Sequence, residues 1–156
     1  MSKLQTPFRY DFVGSFLRPQ ALKDAKAAYR DGKISKEEFD KVVDEEIIKV
    51  VAKQKELGFH AITDGEFRRT FWHLDFMWGL DGVAHENTGN GVKFDAELAV
   101  LDDTYLVGKI KTKAHPFVEY FKFLKQFEDE NTVAKYTIPA PAQTFQQMIV
   151  PDNIAN

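Results

Sequence analysis

At 156 residues, with 44% hydrophobic and 13% aromatic side chains, the chain is long enough to bury one core and too apolar to be a disordered tail. Its formal net charge of -3 supplies no basic field for a nucleic-acid backbone or an anionic membrane surface, and no apolar run reaches the length of a membrane span. With Cys 0, disulfides and thiolate metal ligands are excluded, which leaves His, Asp and Glu for any metal.

In chain order, Phe8-Arg9-Tyr10-Asp11-Phe12-Val13 reads as a strand that stops at Gly14-Ser15. Pro19 suits a first helical turn, and the stripe Leu22, Ala25, Tyr29 predicts a helix over 20–30 that ends at Asp31-Gly32. Ser35-Lys36-Glu37-Glu38 is a capping box, with hydroxyl and carboxylate each satisfying the other residue's amide. Behind it Phe39, Val42, Val43, Ile47, Val50 and Val51 recur at helical spacing as far as Leu57, and Gly58 is the stop.

Phe59-His60-Ala61-Ile62-Thr63 then reads as a buried parallel strand ending in Asp64-Gly65-Glu66. Val92 to Val100 alternates, Asp102-Asp103 marks a turn, and Tyr105 to Ile110 is expected to return as the second arm of a hairpin. Apolar residues from Pro116 to Phe127 cover more than one helical face, so that helix needs neighbours on two sides. Val133 to Ile138 reads as a last strand, Pro139-Ala140-Pro141 forces an extended exit, and no strand is expected in the tail from Gln143.

This pattern predicts a parallel α/β fold in one domain, and in such folds the loops at the carboxyl ends of strands carry the chemistry. Three loops qualify: Gly14-Ser15, Asp64 to Arg69, and Pro139-Ala140-Pro141. The first offers backbone amides and a hydroxyl for a carboxylate or phosphate oxygen, or is a plain strand-to-helix turn. In the second, Glu66 can take an ammonium group and Arg68 or Arg69 an acid; the alternative is an internal ion-pair network such as Asp64 with Arg68. Trp72, Phe76 and Trp78 offer flat faces to a ring-containing ligand, or are core. His60, His73, His85 and His115 show no metal-binding spacing, and neither a nucleotide-binding glycine loop nor a G-x-S-x-G elbow is present.

Several of these segments together carry a resemblance. Val13-Gly14-Ser15-Phe16-Leu17-Arg18-Pro19, Gln54-Lys55-Glu56-Leu57-Gly58, and Thr63-Asp64-Gly65-Glu66-Phe67-Arg68-Arg69 with Trp72 and Asp75-Phe76 resemble the cobalamin-independent methionine synthase family, in particular its short single-barrel relatives. The likeness continues through Val107-Gly108-Lys109-Ile110 to Ile138-Pro139-Ala140-Pro141. The resemblance implies a (β/α)8 barrel and transfer of a methyl group from 5-methyltetrahydrofolate to the sulfur of homocysteine. In the complete family enzyme a zinc ion holds that sulfur as thiolate.

Carried onto this chain, the resemblance implies that Val13, Gly14 and Ser15 hold the amino-acid carboxylate and that Glu66 receives the amino group. Arg68, Arg69 and Trp72 are candidates for a pterin or substrate wall, without fixed roles. Phe12 stands where the short relatives often have His, so whatever that imidazole does is lost here.

A complete barrel of this type takes about 250 residues, so the expectation is an incomplete barrel: about three strand–helix units plus a β-hairpin insertion. The family's zinc ligands, a His, two Cys and a Glu, lie in later strands, so neither a metal site nor a catalytic residue is expected within this chain. It is expected to be inactive alone, to work in the cytoplasm, and to self-associate or pair with a complementing barrel half through open sheet edges. The alternative is a non-catalytic amino-acid-binding or assembly module derived from the same barrel. Porphyrin decarboxylase-type barrels share the architecture but not the Asp64-Gly65-Glu66 signature.

Overall fold

The computed structural model describes residues 12–89, 91–94, 97–112 and 114–151, with backbone alone for 91–94 and 97–100. It is a mixed α/β chain that divides into two compact units. The first contains the residues up to Thr70 together with Glu119–Thr137, and the second contains Phe71–Val118 and the residues from Ile138 onward. Among the described residues no helix is long and apolar enough to cross a membrane.

In the first unit, α1 (Gln20–Arg30) and α2 (Lys36–Glu56) form where the apolar spacing predicts them. The capping box at the start of α2 is complete: the Glu38 amide donates to Ser35 Oγ at 3.1 Å, and the Ser35 amide donates to Glu38 Oε2 at 2.7 Å. Val43, Ile47 and Val51 form the buried stripe of α2, one or two turns apart. They pack in one core with Leu22, Ile62, Phe67 and Leu124. Each such side chain contributes on the order of 1.5–3 kcal/mol through burial.

Two short parallel strands, β1 (Ala61–Ile62) and β6 (Val133–Ala134), meet in the register Ala61 with Val133 and Ile62 with Ala134. Their pairing extends through Val133 N–H to His60 O at 2.8 Å and Lys135 N–H to Ile62 O at 2.9 Å. The predicted parallel strand after α2 is therefore present, and its partner comes from much later in the chain. The expected first strand, Phe8 to Val13, lies mostly outside the described residues.

The second unit holds α3 (Leu74–Trp78), β2 (Asp81–Glu86), β3 (Gly91–Phe94), β4 (Glu97–Val100), β5 (Asp103–Lys111), α5 (Pro141–Gln147) and β7 (Met148–Ile149). Here two expectations are corrected. Val92 to Val100 does not pair with Tyr105 to Ile110; it folds on itself as the β3–β4 hairpin, Gly91 opposite Val100, while β5 pairs antiparallel with β2. The reason is distance along the chain: β3 and β4 are immediate neighbours in sequence and pair at a smaller loop cost, and β5 takes the edge that β2 offers. The tail is not strand-free either, because β7 adds to β5 in parallel and gives the sheet order β2-β5-β7. The remaining helix, α4 (Pro116–Lys125), begins in the second unit and ends in the first.

Candidate functional site

The two loops singled out in the first unit are joined by backbone. The Phe16 amide donates to Gly65 O at 3.1 Å, which makes neighbours of segments far apart in sequence, the turn before α1 and the loop after β1. Arg18 adds a second tie through its guanidinium to Arg69 O at 3.1 Å. Val13, Gly14 and Ser15 lie on the exposed side of this junction, and Gly14 takes φ 95. Gly65, at φ 65, is a glycine for two reasons: the left-handed backbone, and a Cβ there would lie 2.9 Å from Phe16 Cδ2.

Glu66 is the sole non-glycine with positive φ among the described residues, at 59°. Long side chains rarely adopt this conformation, and it persists only where the surroundings hold it. The surroundings are evident: its amide donates to Asp64 Oδ1 at 2.9 Å, Thr137 Oγ1 donates to its Oε1 at 3.1 Å, and Arg69 reaches the same oxygen at 3.4 Å. The residue is 6% exposed, so this carboxylate is buried beside a guanidinium and a hydroxyl.

The two arginines have separate partners. Arg69 is 1% exposed, donates to Thr137 O at 2.6 Å, and lies 4.7 Å over the Tyr136 ring. Burial raises the Tyr136 phenol above its ordinary pKa, and the nearby Asp64 charge adds to the rise while Arg69 opposes it. Arg68 pairs with Asp44 of α2 and lies over the rings of Tyr120 and Phe123. The internal network is thus Glu66 with Arg69 and Asp44 with Arg68, and the Asp64–Arg68 pair considered from the sequence is replaced by these.

Sequence reasoning missed Gln54, which sits on α2 among polar neighbours but is 3% exposed. Its Nε2 donates to Thr63 O at 2.8 Å and its Oε1 accepts from the Thr63 amide at 2.9 Å. One side-chain amide thereby satisfies both backbone groups at the end of β1, as a neighbouring strand would, and fixes where the Asp64–Glu66 loop begins. Tyr136 and Thr137 were missed as well, since nothing local in Val133 to Ile138 marks them for Glu66 and Arg69.

Trp72 belongs to the second unit, half exposed, with its ring against His73 at 4.5 Å. Phe76 packs against His115 and Phe117, and Trp78 stacks on His85 at 3.9 Å while its Nε1 donates to Thr104 Oγ1 at 3.1 Å. Of the three aromatic candidates, Trp72 has the most open face.

Zinc, implied by the family resemblance, finds no matching donor set here. The chain has no cysteine, and among the described residues no group of three or more His, Asp or Glu is placed to hold a metal ion.

Residues 9–119 match the family described as cobalamin-independent synthase, catalytic domain. The Bacillus subtilis (strain 168) protein YxjH is 37% identical over 141 residues, 90% of this chain and 37% of that protein. A 5-methyltetrahydropteroyltriglutamate–homocysteine methyltransferase of Thermotoga petrophila is 38% identical over 77 residues, 49% of this chain and 10% of that enzyme. Among solved structures, a Listeria monocytogenes protein described as a vitamin-B12 independent methionine synthase superposes with TM-score 0.78 at 40% identity, covering 96% of this chain and 41% of that one. A B12-independent methionine synthase from Shewanella sp. W3-18-1, solved with selenomethionine, shares the fold with TM-score 0.58 at 19% identity, over 77% of this chain and 34% of that one. The chain spans less than half the length of each of these relatives. With the family match running through both loops and most of the chain, this protein belongs to the cobalamin-independent synthase catalytic-domain family.

Proposed function

We propose that the chain is the amino-terminal part of a methyltransferase barrel of the methionine synthase type, an incomplete (β/α)8 domain of about three strand–helix units with a β-hairpin insertion. Its task is to grip the amino-acid end of homocysteine. The carboxylate lies against the amides of Val13 to Ser15 and the Ser15 hydroxyl, and Glu66 takes the ammonium group. The observation that carries this reading is the Phe16 amide to Gly65 O bond. The carboxylate and ammonium of an α-amino acid are attached to one carbon, so their receptors have to be neighbours, and that bond makes neighbours of the two loops.

The chain's own residues bind and orient; they do not activate the thiol. In the complete enzyme zinc supplies that chemistry and 5-methyltetrahydrofolate supplies the methyl group, so the chain alone is inactive. Zinc ligands come from polypeptide outside it. Arg68 and Arg69 support the site from behind through Asp44 and Glu66, and Trp72 is the candidate to stack on a pterin ring. The cytoplasm is the working compartment. For the chain by itself, the lack of cysteine favours a second reading: a non-catalytic amino-acid-binding or assembly module that uses the same contacts.

Calorimetry with homocysteine tests the shared part of both readings. Glu66→Gln is expected to weaken binding at least tenfold, as loss of a buried charge partner does, and Ser15→Ala several-fold. Equal affinity of Glu66→Gln and the parent would remove the basis for assigning the ammonium to Glu66.

A further inference from the structure

Glu66 by itself is a weak receptor for an ammonium group. Its carboxylate is buried with the Arg69 guanidinium at 3.4 Å, and Arg69 is 1% exposed, so the two charges cancel inside one low-dielectric cluster. Arg69 and Thr137 both bond to Oε1, and among the described residues Oε2 has no partner. An oxygen is therefore left for a ligand, but the ion pair that carries it is neutral. A cation leaves water for such a place only where a further negative charge acts on it.

Asp64 is placed to supply that charge. It is 3% exposed, and its Oδ1 accepts the Glu66 amide at 2.9 Å. Its Oδ2 is buried without a hydrogen bond of ordinary length and angle. Among the described residues no Lys or Arg forms an ion pair with Asp64, since Arg68 pairs with Asp44 and Arg69 with Glu66. The Tyr136 phenol is close enough to feel the Asp64 charge, but burial and that charge both oppose its ionisation, so it offsets nothing.

The turn itself does not call for a carboxylate. An Asn side chain would accept the Glu66 amide equally well and would spare the cost of burying an anion. Two carboxylates, Asp64 and Glu66, against the one guanidinium of Arg69 leave the cluster with a net negative charge. The ammonium of an amino acid neutralises that charge, whereas a hydroxyl in its place does not.

We propose that Asp64 is the specificity-determining residue of the ammonium site: Glu66 makes the contact through Oε2, and Asp64 supplies the uncompensated charge that selects an α-amino acid over the corresponding α-hydroxy acid. The inference rests on the amino-acid reading of this site and deepens it. Asp64 acts across the Glu66 turn and is not itself required to touch the ligand.

Calorimetry with two probes, homocysteine and its α-hydroxy analogue, tests this. The probes share the carboxylate and the thiol and differ only where one has an ammonium and the other a hydroxyl. The parent chain is expected to prefer homocysteine by about a hundredfold or more. Asp64→Asn, which keeps the Oδ1 acceptor for the Glu66 amide, is expected to narrow that preference at least tenfold, through lost affinity for homocysteine and little change for the hydroxy acid. A merely structural role would weaken both probes alike, and an unchanged ratio in Asp64→Asn overturns the proposal.

The parent chain supplies a second test that does not depend on how the variant folds: equal affinity for the two probes also overturns the proposal. Glu66→Gln separates the inference from the reading beneath it. If Glu66→Gln abolishes the preference and Asp64→Asn retains it, the ammonium assignment to Glu66 stands and the role of Asp64 falls. If the parent binds neither probe, the amino-acid reading falls, and the role of Asp64 with it.

Discussion

At the scale of single residues, Glu66 combines features that seldom occur together: positive φ, burial, and a carboxylate facing a buried guanidinium at 3.4 Å. Arg69 bonds to Thr137 O and Glu66, so one side chain ties the loop after β1 to the chain beyond β6. Arg69→Met is expected to destabilise the first unit by about 3–5 kcal/mol, because it strands a buried charge and leaves the Thr137 carbonyl without that donor. Urea unfolding measures this, and a loss below about 1 kcal/mol would show that the pair is only incidental. Gly65→Ala addresses the same loop from its backbone. The left-handed φ and the 2.9 Å approach to Phe16 Cδ2 together predict a loss of more than about 1 kcal/mol and weaker homocysteine binding, as the Phe16–Gly65 bond opens.

At the scale of elements, α2 organises the first unit. Its amino end is set by the capping box, and Ser35→Ala is expected to cost roughly 1 kcal/mol in thermal or urea unfolding. Toward its carboxyl end, Gln54 stands in for a strand by bonding both backbone groups of Thr63. Gln54→Leu keeps much of the volume but leaves a buried amide and carbonyl unpaired, at about 1–3 kcal/mol for each group. Faster hydrogen exchange of the Thr63 amide is the specific sign; an unchanged rate would mean that water or another group replaces Gln54. Lys55, in the same last turn, pairs with Asp129 at 2.7 Å and holds that carboxyl at a pKa of about 2, with the Asn131 amide assisting. This contribution is present above pH 3.8 and fades as pH falls toward 2.

At the scale of the whole molecule, the two compact units need not unfold together. Both tryptophans, Trp72 and Trp78, lie in the second unit, so their fluorescence reports on it alone. Burial lowers the His73 pKa below its ordinary 6.5, against the opposing effects of Gln147 and Asp75. The unfolded chain therefore takes up its proton at higher pH than the folded unit does. Stability from this group is full above about pH 6.5 and is lost as pH drops below it, toward the lower folded pKa. Urea midpoints from tryptophan fluorescence are expected to fall between pH 7 and pH 5, and His73→Gln is expected to flatten that slope. A parent protein with a level profile would contradict the burial of a neutral imidazole.

The elements that the sequence alone determined are those whose signals are local. Leu22 and Ala25, the Ser35–Glu38 box, and the Val43–Ile47–Val51 stripe each state their own helix within a few turns, and Ala61-Ile62 states a buried strand by continuous apolarity. The proximity of the Ser15 and Glu66 loops was an inference from parallel topology, and the Phe16–Gly65 bond supplies the contact. Only the tertiary structure decided that β5 pairs with β2, that β7 joins it, that Arg69 and Gln54 are buried, and that Glu66 adopts a left-handed backbone. The physical reason is that caps and helical periodicity act between residues already close in the chain. Strand partners and buried polar pairs depend on which distant groups arrive together, and several pairings of the same strands are locally equivalent.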